Sequence, residues 1–211
     1  EKEEVFLQDR DHFFTAMGLT RSGLDLNGLF DFAHGMFGIE IAHRLTDGDR
    51  IDLGGVTLET IHTPGHTPGH VAFFIPEHDL LFSGDIDLTP FGPFYGHDFA
   101  DIEDFLSSIE KLKQVRAKLV ISGHAGPFNG NLPKRFTGYG EVIYSRDRLL
   151  LKKLRRPKSL EDFKGRNLFY KSYPDFPELI RWFELVHIEK HLMRLKTMGK
   201  VRQEVGRWLR V

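Results

Sequence analysis

Residues 62–70 read His-Thr-Pro-Gly-His-Thr-Pro-Gly-His. The three histidines recur at every fourth position, a spacing that would place them on one face of a helix. The two prolines and two glycines between them exclude such a helix. The preceding residues 56–61 alternate between apolar and polar side chains, which predicts a strand. The sequence therefore predicts a strand that runs into a rigid loop, with imidazole groups presented at the end of the strand.

Two further predicted strands end in the same way, at a glycine followed by a residue that can bind a metal. The apolar residues 80–82 lead through Ser-Gly to Asp85, and the apolar residues 119–121 lead through Ser-Gly to His124. Loops on a rigid scaffold are where ligands usually bind. With His66, these residues form a candidate metal-binding set. The chain contains no cysteine, so a metal here has to use histidine and carboxylate ligands.

In this order and at these intervals, the three residues resemble the metal motifs of the metallo-β-lactamase superfamily, which includes glyoxalase II-like thioesterases, lactonases, lactamases and some ribonucleases. The resemblance covers roughly residues 39–145. It implies an αββα sandwich with one or two metal ions at the ends of its sheets. It also implies that His66 binds the first metal and His124 the second, that Asp85 bridges them, and that Asp85 and His66 are catalytic. Zinc is the expected metal, with iron and manganese as alternatives.

The sequence departs from this family at its leading motif, His-x-His-x-Asp-His, which supplies most of the ligands. The nearest stretch, residues 7–12, retains only the final Asp-His. Residues 1–6 leave no room for the strands that precede the motif in the family. We therefore expect that residue 1 lies downstream of the motif and that the chain holds only part of the ligand set. In the alternative interpretation, Asp11 and His12 complete the site.

The resemblance implies a reaction class. A catalytic zinc ion usually takes three protein ligands and keeps a fourth position for water, whose pKa it lowers towards ~7. We therefore expect a metal-dependent hydrolase that uses this water to cleave a small-molecule thioester, ester or lactone. Two alternatives are a binding or structural module that has the same fold but an incomplete site, and a ribonuclease whose basic C-terminal part contacts RNA.

Four residues near the candidate ligands receive supporting roles. His62 and His70 flank His66 and are interpreted as residues that orient the loop or support the ligands from behind. Tyr95 and His97 follow Asp85, where glyoxalase II-like relatives have a stretch that reaches the substrate pocket. Contact of Tyr95 and His97 with substrate is one interpretation, and a packed aromatic loop is the other.

His187 and His191 are spaced four residues apart, which would allow a metal site on a helix. The zinc-protease pattern requires glutamate directly after the first histidine, and this chain has Ile188 there. We therefore interpret both histidines as residues on a helix surface.

Charge divides the chain into two parts. Residues 1–145 contain 11 Lys+Arg and 22 Asp+Glu, a net charge of −11, whereas residues 146–211 contain 18 and 8, a net charge of +10. This asymmetry predicts a metallo-β-lactamase-like core over residues 1–145 and a basic, mainly helical C-terminal module over residues 146–211. Docking of the basic module on the acidic core would explain it, as would contact with an anionic partner such as RNA.

The predicted fold class is α+β, a partial αββα sandwich followed by the helical module. The last segment predicts a helix over 187–197, a glycine cap, and a β-hairpin over 201–211, and it resembles the end of a winged helix. A packing or homodimerisation role is the alternative for this end. No run of about 18 apolar residues occurs, so we expect no membrane span. A cytoplasmic protein that acts on a small molecule is the simplest expectation.

Overall fold

The main sheet has six strands and lies within the part of the chain that the computed structural model describes, namely residues 13–15, 17–25, 43–171 and 177–211. The strands are β1 Arg50–Asp52, β2 Thr57–His62, β3 Val71–Ile75, β4 Leu80–Phe82, β5 Leu119–Ile121 and β6 Phe128–Asn129. They lie side by side in sequence order, and all neighbours are antiparallel except β4 and β5, which pair in parallel. The predicted strands over 56–61, 80–82 and 119–121 are confirmed.

Helix α1, Ile102–Lys113, provides the crossover between the parallel strands β4 and β5. It begins where it does because the side chain of Asp101 accepts hydrogen bonds from the backbone N–H groups of Glu103 and Asp104. Its apolar face carries Phe105 and Ile109, which are almost completely buried. This helix therefore covers the sheet and also presents its N-terminus towards the 62–70 loop.

The main core lies between the sheet, α1 and a second helix, α2, which spans Leu132–Lys153. Leu81 and Val120 from the sheet are fully buried in the same core as Ile143 of α2. Burial of each such side chain contributes about 1.5–3 kcal/mol relative to an exposed position. This mixed architecture confirms the predicted α+β class, and the described residues contain this one large sheet of the expected sandwich.

A second core involves the other end of α2, helix α3 (Pro177–Thr197) and the hairpin strands β7 (Val201–Glu204) and β8 (Arg207–Arg210). The helix and hairpin at the C-terminus are confirmed, although α3 begins at Pro177 rather than at residue 187. Proline suits the first turn because no helical hydrogen bond uses its nitrogen. Because α2 contributes to both cores, the expected boundary between residues 145 and 146 falls inside a helix, and the two-module division stays a prediction.

Every helix within the described ranges is too short or too polar to span a bilayer.

Candidate functional site

The loop that carries His66 is fixed on the N-terminal end of α1. The N–H of Asp101 donates to the carbonyl of Gly65 at 2.9 Å, and the hydroxyl of Ser108 donates to the carbonyl of Pro64 at 2.6 Å. Gly65 has a φ of +130°, and a β-carbon there would lie 2.3 Å from the α-carbon of Phe105. Only glycine allows this approach, so the sequence pattern Pro-Gly-His corresponds to a loop pressed against a helix.

The ring of His66 has a defined orientation. Its Nδ1 lies 3.0 Å from the carbonyl oxygen of Phe94. A carbonyl can only accept a hydrogen bond, so the network assigns the proton to Nδ1 and leaves a lone pair on Nε2. That Nε2 faces Oδ2 of Asp85 at 3.7 Å. Histidines that bind metals commonly donate their other ring N–H to a carbonyl in this way, so His66 has the orientation of a ligand.

Asp85 is held from behind by His70. The backbone N–H of Asp85 donates to Nε2 of His70 at 2.9 Å, and Nδ1–H of His70 donates to Thr63, whose carbonyl oxygen lies 3.0 Å away. Burial lowers the pKa of His70, which favours the neutral ring that this pattern requires. A β-carbon at position 84 would lie 2.6 Å from His70 Nε2, which explains Gly84. His70 therefore has the supporting position that the sequence predicts for it.

His124 reaches the same carboxylate from the end of β5. Its Nε2 lies 2.9 Å from Oδ1 of Asp85, and 68% of its side chain is exposed. The backbone of Gly123 donates to the carbonyl of Gly84 at 2.8 Å, which joins the ends of β4 and β5. The structure thus brings the three predicted ligands together, with both imidazole Nε2 atoms facing one carboxylate.

The donor set fits part of a metal site. Two imidazoles and a carboxylate are ligands that zinc, iron or manganese accept. Neighbouring ligands of a tetrahedral zinc lie roughly 3.4 Å apart, and the distances from Asp85 to His66 and His124, 3.7 and 2.9 Å, lie on either side of that value. Within the described ranges, however, no group of three or more His, Cys, Asp or Glu is arranged to hold a metal ion. Asp85 contacts each histidine separately, so the three residues form an incomplete ligand set.

His62 fixes the far end of the loop. Its ring Nε2 lies 2.7 Å from the carbonyl oxygen of Pro68, and its backbone N–H donates to Asp47 at 2.7 Å. It therefore has a position from which it orients the loop, in keeping with the expected role.

His97 lies directly beside His66, with 5.2 Å between the ring centroids and an angle of 83° between the ring planes. Only 1% of His97 is exposed, and its Nδ1 has no hydrogen-bond partner in the part of the chain that the structure describes. Burial, with a smaller contribution from the neighbouring His66, lowers the pKa of His97 to about 3. This residue is thus a neutral imidazole at the edge of the candidate metal centre.

Tyr95 has a different position from the one predicted for substrate contact. It is completely buried, and its hydroxyl accepts a hydrogen bond from Arg146 and donates to Nε2 of His191, both at 2.7 Å. Burial raises its pKa to about 12. The hydroxyl is therefore occupied by protein groups, and the packed aromatic loop is the interpretation that describes Tyr95.

The interpretation of His187 and His191 as surface residues is wrong, since both are completely buried. Nδ1–H of His191 donates to Asp147 at 2.6 Å, while Nε2 of His187 accepts the backbone N–H of Tyr95 at 3.1 Å. Burial lowers the pKa of both rings. Their i, i+4 spacing does mark one helix face, and that face packs on the loop containing Tyr95. Arg146 and Asp147 were missed because nothing in their local sequence separates them from the other charges of α2.

Residues 7–12, the stretch nearest to the missing leading motif, lie outside the described residues. Completion of the site by Asp11 and His12 therefore stays a prediction.

Comparison with known proteins agrees with this fold. The family profile described as the metallo-beta-lactamase superfamily matches residues 6–124, which is more than half of the chain. The chain therefore belongs to the metallo-β-lactamase superfamily.

Two curated relatives and one solved structure show how far the similarity of this chain extends. A beta-lactamase-like protein 2 homolog from Caenorhabditis elegans is 30% identical over 175 residues, which cover 82% of this chain and 57% of that protein. A hydroxyacylglutathione hydrolase from Rhodospirillum rubrum is 34% identical over 49% of this chain and 39% of its own length. The crystal structure of a metallo-beta-lactamase family protein from Thermus thermophilus superposes with a TM-score of 0.69 at 26% identity, covering 98% of this chain and 71% of that one. The chain thus spans about half, or less, of the length of these two curated relatives.

Proposed function

We propose that this chain forms the substrate-facing part of a metal-dependent hydrolase that cleaves a thioester, ester or lactone of a small molecule. The observation that carries the proposal is the position of the Asp85 carboxylate between the Nε2 atoms of His66 and His124. A relative that is named a hydroxyacylglutathione hydrolase supports hydrolysis of an acyl bond as the reaction class.

The chain's own residues prepare such a site. Zinc, when bound, would polarise an acyl carbonyl and lower the pKa of water so that a nucleophile exists near neutral pH. The hydrogen bond to Phe94 keeps the lone pair of His66 Nε2 directed at Asp85, and the hydrogen bond to His70 fixes the backbone of Asp85. These fixed groups need little reorganisation during a reaction.

The exposure of the three side chains indicates the direction from which substrate would enter. His66 is 19% exposed, Asp85 36% and His124 68%. His66 therefore forms the inner wall and His124 the outer rim. We infer that the acyl group approaches over His124 and that the remainder of the substrate stays near the surface.

His97 is proposed as a second contact for the substrate. A buried polar atom without a partner costs about 1–3 kcal/mol, and Nδ1 of His97 is such an atom within the described residues. Its ring adjoins His66, on the inner side of the site. A polar substrate atom that donates a hydrogen bond to Nδ1 would remove this cost.

The test compares metal content and turnover in four variants. We expect Asp85→Asn and His66→Ala to lose bound zinc, measured by elemental mass spectrometry, and to lose more than about 100-fold in turnover, since even outer partners of ligands contribute 10–100-fold. His97→Phe keeps the buried ring and should raise KM at unchanged zinc content. His78→Ala is the control, because His78 is an exposed histidine in the turn after β3.

The assay panel consists of an acylglutathione thioester, an aryl ester, a lactone and a single-stranded oligoribonucleotide. Undiminished metal-dependent turnover in both Asp85→Asn and His66→Ala would contradict the proposal. Zinc binding without turnover of any member would instead favour a binding module with an incomplete site, and turnover of the oligoribonucleotide alone would favour a ribonuclease.

A further inference from the structure

One peptide group, the bond between Phe94 and Tyr95, contacts histidines from two distant parts of the chain. Its carbonyl oxygen lies 3.0 Å from Nδ1 of His66, and its N–H donates to Nε2 of His187 at 3.1 Å. The C=O and N–H of a trans peptide lie in one rigid plane. A rotation of this plane would therefore alter both hydrogen bonds together, so the two imidazoles are coupled through a single group.

His187 is held so that it can only accept this hydrogen bond. Its Nδ1 lies 2.7 Å from the carbonyl oxygen of Phe183, one turn earlier in α3, which places the ring proton on Nδ1 and leaves Nε2 as an acceptor. The ring is completely buried and packs 5.2 Å from the ring of Phe94 and 4.5 Å from that of Tyr95. Burial lowers its pKa well below the usual value, which preserves the neutral acceptor.

The loop is shaped for this approach of the helix. A β-carbon at position 96 would lie 2.7 Å from the ring of His187, so Gly96 is what allows α3 to reach the peptide. On the other side, the hydroxyl of Tyr95 is fixed by Arg146 and by His191, which itself donates to Asp147. Groups from α2 and α3 thus hold the 94–95 peptide in one orientation.

We propose that His187 is a positioning residue for His66. It holds the Phe94–Tyr95 peptide so that the Phe94 carbonyl fixes His66 in the Nδ1–H tautomer, with Nε2 directed at Asp85. The consequence for catalysis rests on the function proposed above, whereas the tautomer of His66 is a property of the metal-free protein. The helix of the basic C-terminal part thereby contributes to the candidate metal centre without touching it.

The experiment measures the His66 tautomer and zinc affinity in matched variants. Nitrogen-15 NMR of the metal-free chain reports which ring nitrogen carries the proton, and competition with a chromophoric chelator reports the zinc affinity. His187→Phe keeps a ring but removes the acceptor, and His187→Gln keeps an acceptor near the position of Nε2. Ile188→Val is the control, because Ile188 is a fully buried neighbour on α3 that does not bond the peptide.

We expect the wild-type chain to show His66 as the Nδ1–H tautomer and His187→Phe to lose that preference, with zinc affinity about 10–100-fold weaker. His187→Gln should restore most of both properties, and Ile188→Val should change neither. Gly96→Ala, in which the new β-carbon displaces the His187 ring, gives a second route to the same effect if His187→Phe does not fold.

Retention of the Nδ1–H tautomer in His187→Phe and Gly96→Ala, with zinc affinity equal to that of Ile188→Val, would overturn this inference. A mixed tautomer of His66 in the wild-type chain would overturn it as well. A shifted tautomer in a chain that hydrolyses none of the tested substrates would support the inference while the proposed function fails, so the two are distinguishable.

Discussion

Gly65, Gly84 and Gly96 lie where a β-carbon would collide with a group that positions a candidate ligand. At position 65 the collision is with the backbone of Phe105, and at positions 84 and 96 it is with the rings of His70 and His187. The glycines are therefore as much a part of the site as the imidazoles, because each allows a helix or a ring to approach the loop that bears a ligand or orients one.

Gly65→Ala is expected to destabilise the protein by roughly 2–5 kcal/mol. The new β-carbon would lie 2.3 Å from Phe105 Cα, and the φ of +130° is strained for alanine; overpacking and backbone strain each cost about 1–3 kcal/mol. Equilibrium unfolding in urea gives the difference. Gly54→Ala is the matched control, since Gly54 also has a positive φ of +81° but nothing lies within 4 Å of its added β-carbon. Equal losses in the two variants would show that the contact with α1 has no effect.

The candidate ligands themselves could be predicted from the sequence because their signal is local. Each of these residues directly follows a glycine just after a predicted strand, which alternates before His66 and is short and apolar before Asp85 and His124. The partners that orient them have no such signal. His187 lies 92 residues after Tyr95 in the chain, and the hydrogen bond between them exists only after α3 packs on the loop. A position on the helix surface is therefore the prediction that the sequence favours for His187, and this prediction is wrong.

Among the elements, a strand can be predicted where apolar and polar side chains alternate, and a helix where a capping residue precedes an apolar stripe. Strand β2 alternates, and α1 has Asp101 as its cap and an apolar stripe at helical spacing. Strands β1 and β6 were not predicted, because they are only three and two residues long and are defined by pairing with β2 and β5. Pairing of this kind is a tertiary effect that overrides the weak local preference.

Helix α3 is expected to make the protein sensitive to acid, because the pKa values of His187 and His191 are lowered by burial. The unfolded chain then binds more protons than the folded one below the ordinary pKa of about 6.5. Stability is therefore fully present above pH 6.5 and falls as the pH decreases through the lowered folded-state values, by up to about 1.4 kcal/mol per pH unit for each histidine.

Urea unfolding of the wild-type chain and His187→Gln at several pH values between 7.5 and 4.5 tests this expectation. Removing one buried histidine should reduce the slope of the free energy of unfolding against pH, because one group fewer takes up a proton on unfolding. His78→Gln provides the comparison, because it replaces an exposed histidine outside α3. Identical slopes in all three proteins would mean that the buried imidazoles of α3 do not titrate between the folded and unfolded states.

In the molecule as a whole, helix α2 belongs to both parts of the chain that the charge distribution separates. Its Phe136 and Ile143 belong to the core under the main sheet, whereas its Leu150 packs with Ile188 and Trp208 in the second core. Charge counts cannot reveal such a shared helix, since they record the surface and not the packing. The C-terminal part also reaches the candidate site through His187. Both observations favour one cooperative unit over two independent modules.

Leu150→Ala tests this cooperativity. Leu150 is completely buried in the second core, and removing it is expected to cost about 2–5 kcal/mol. If α2 couples the cores, hydrogen exchange followed by mass spectrometry should show the same loss of protection in β3 and β4 as in α3 and β7. Leu112→Ala, from the main core, should give the reciprocal result with a similar loss in α3. A loss confined to residues 146–211 in Leu150→Ala, with β3 and β4 unchanged, would instead establish two modules that unfold separately, and the basic module could then be studied on its own.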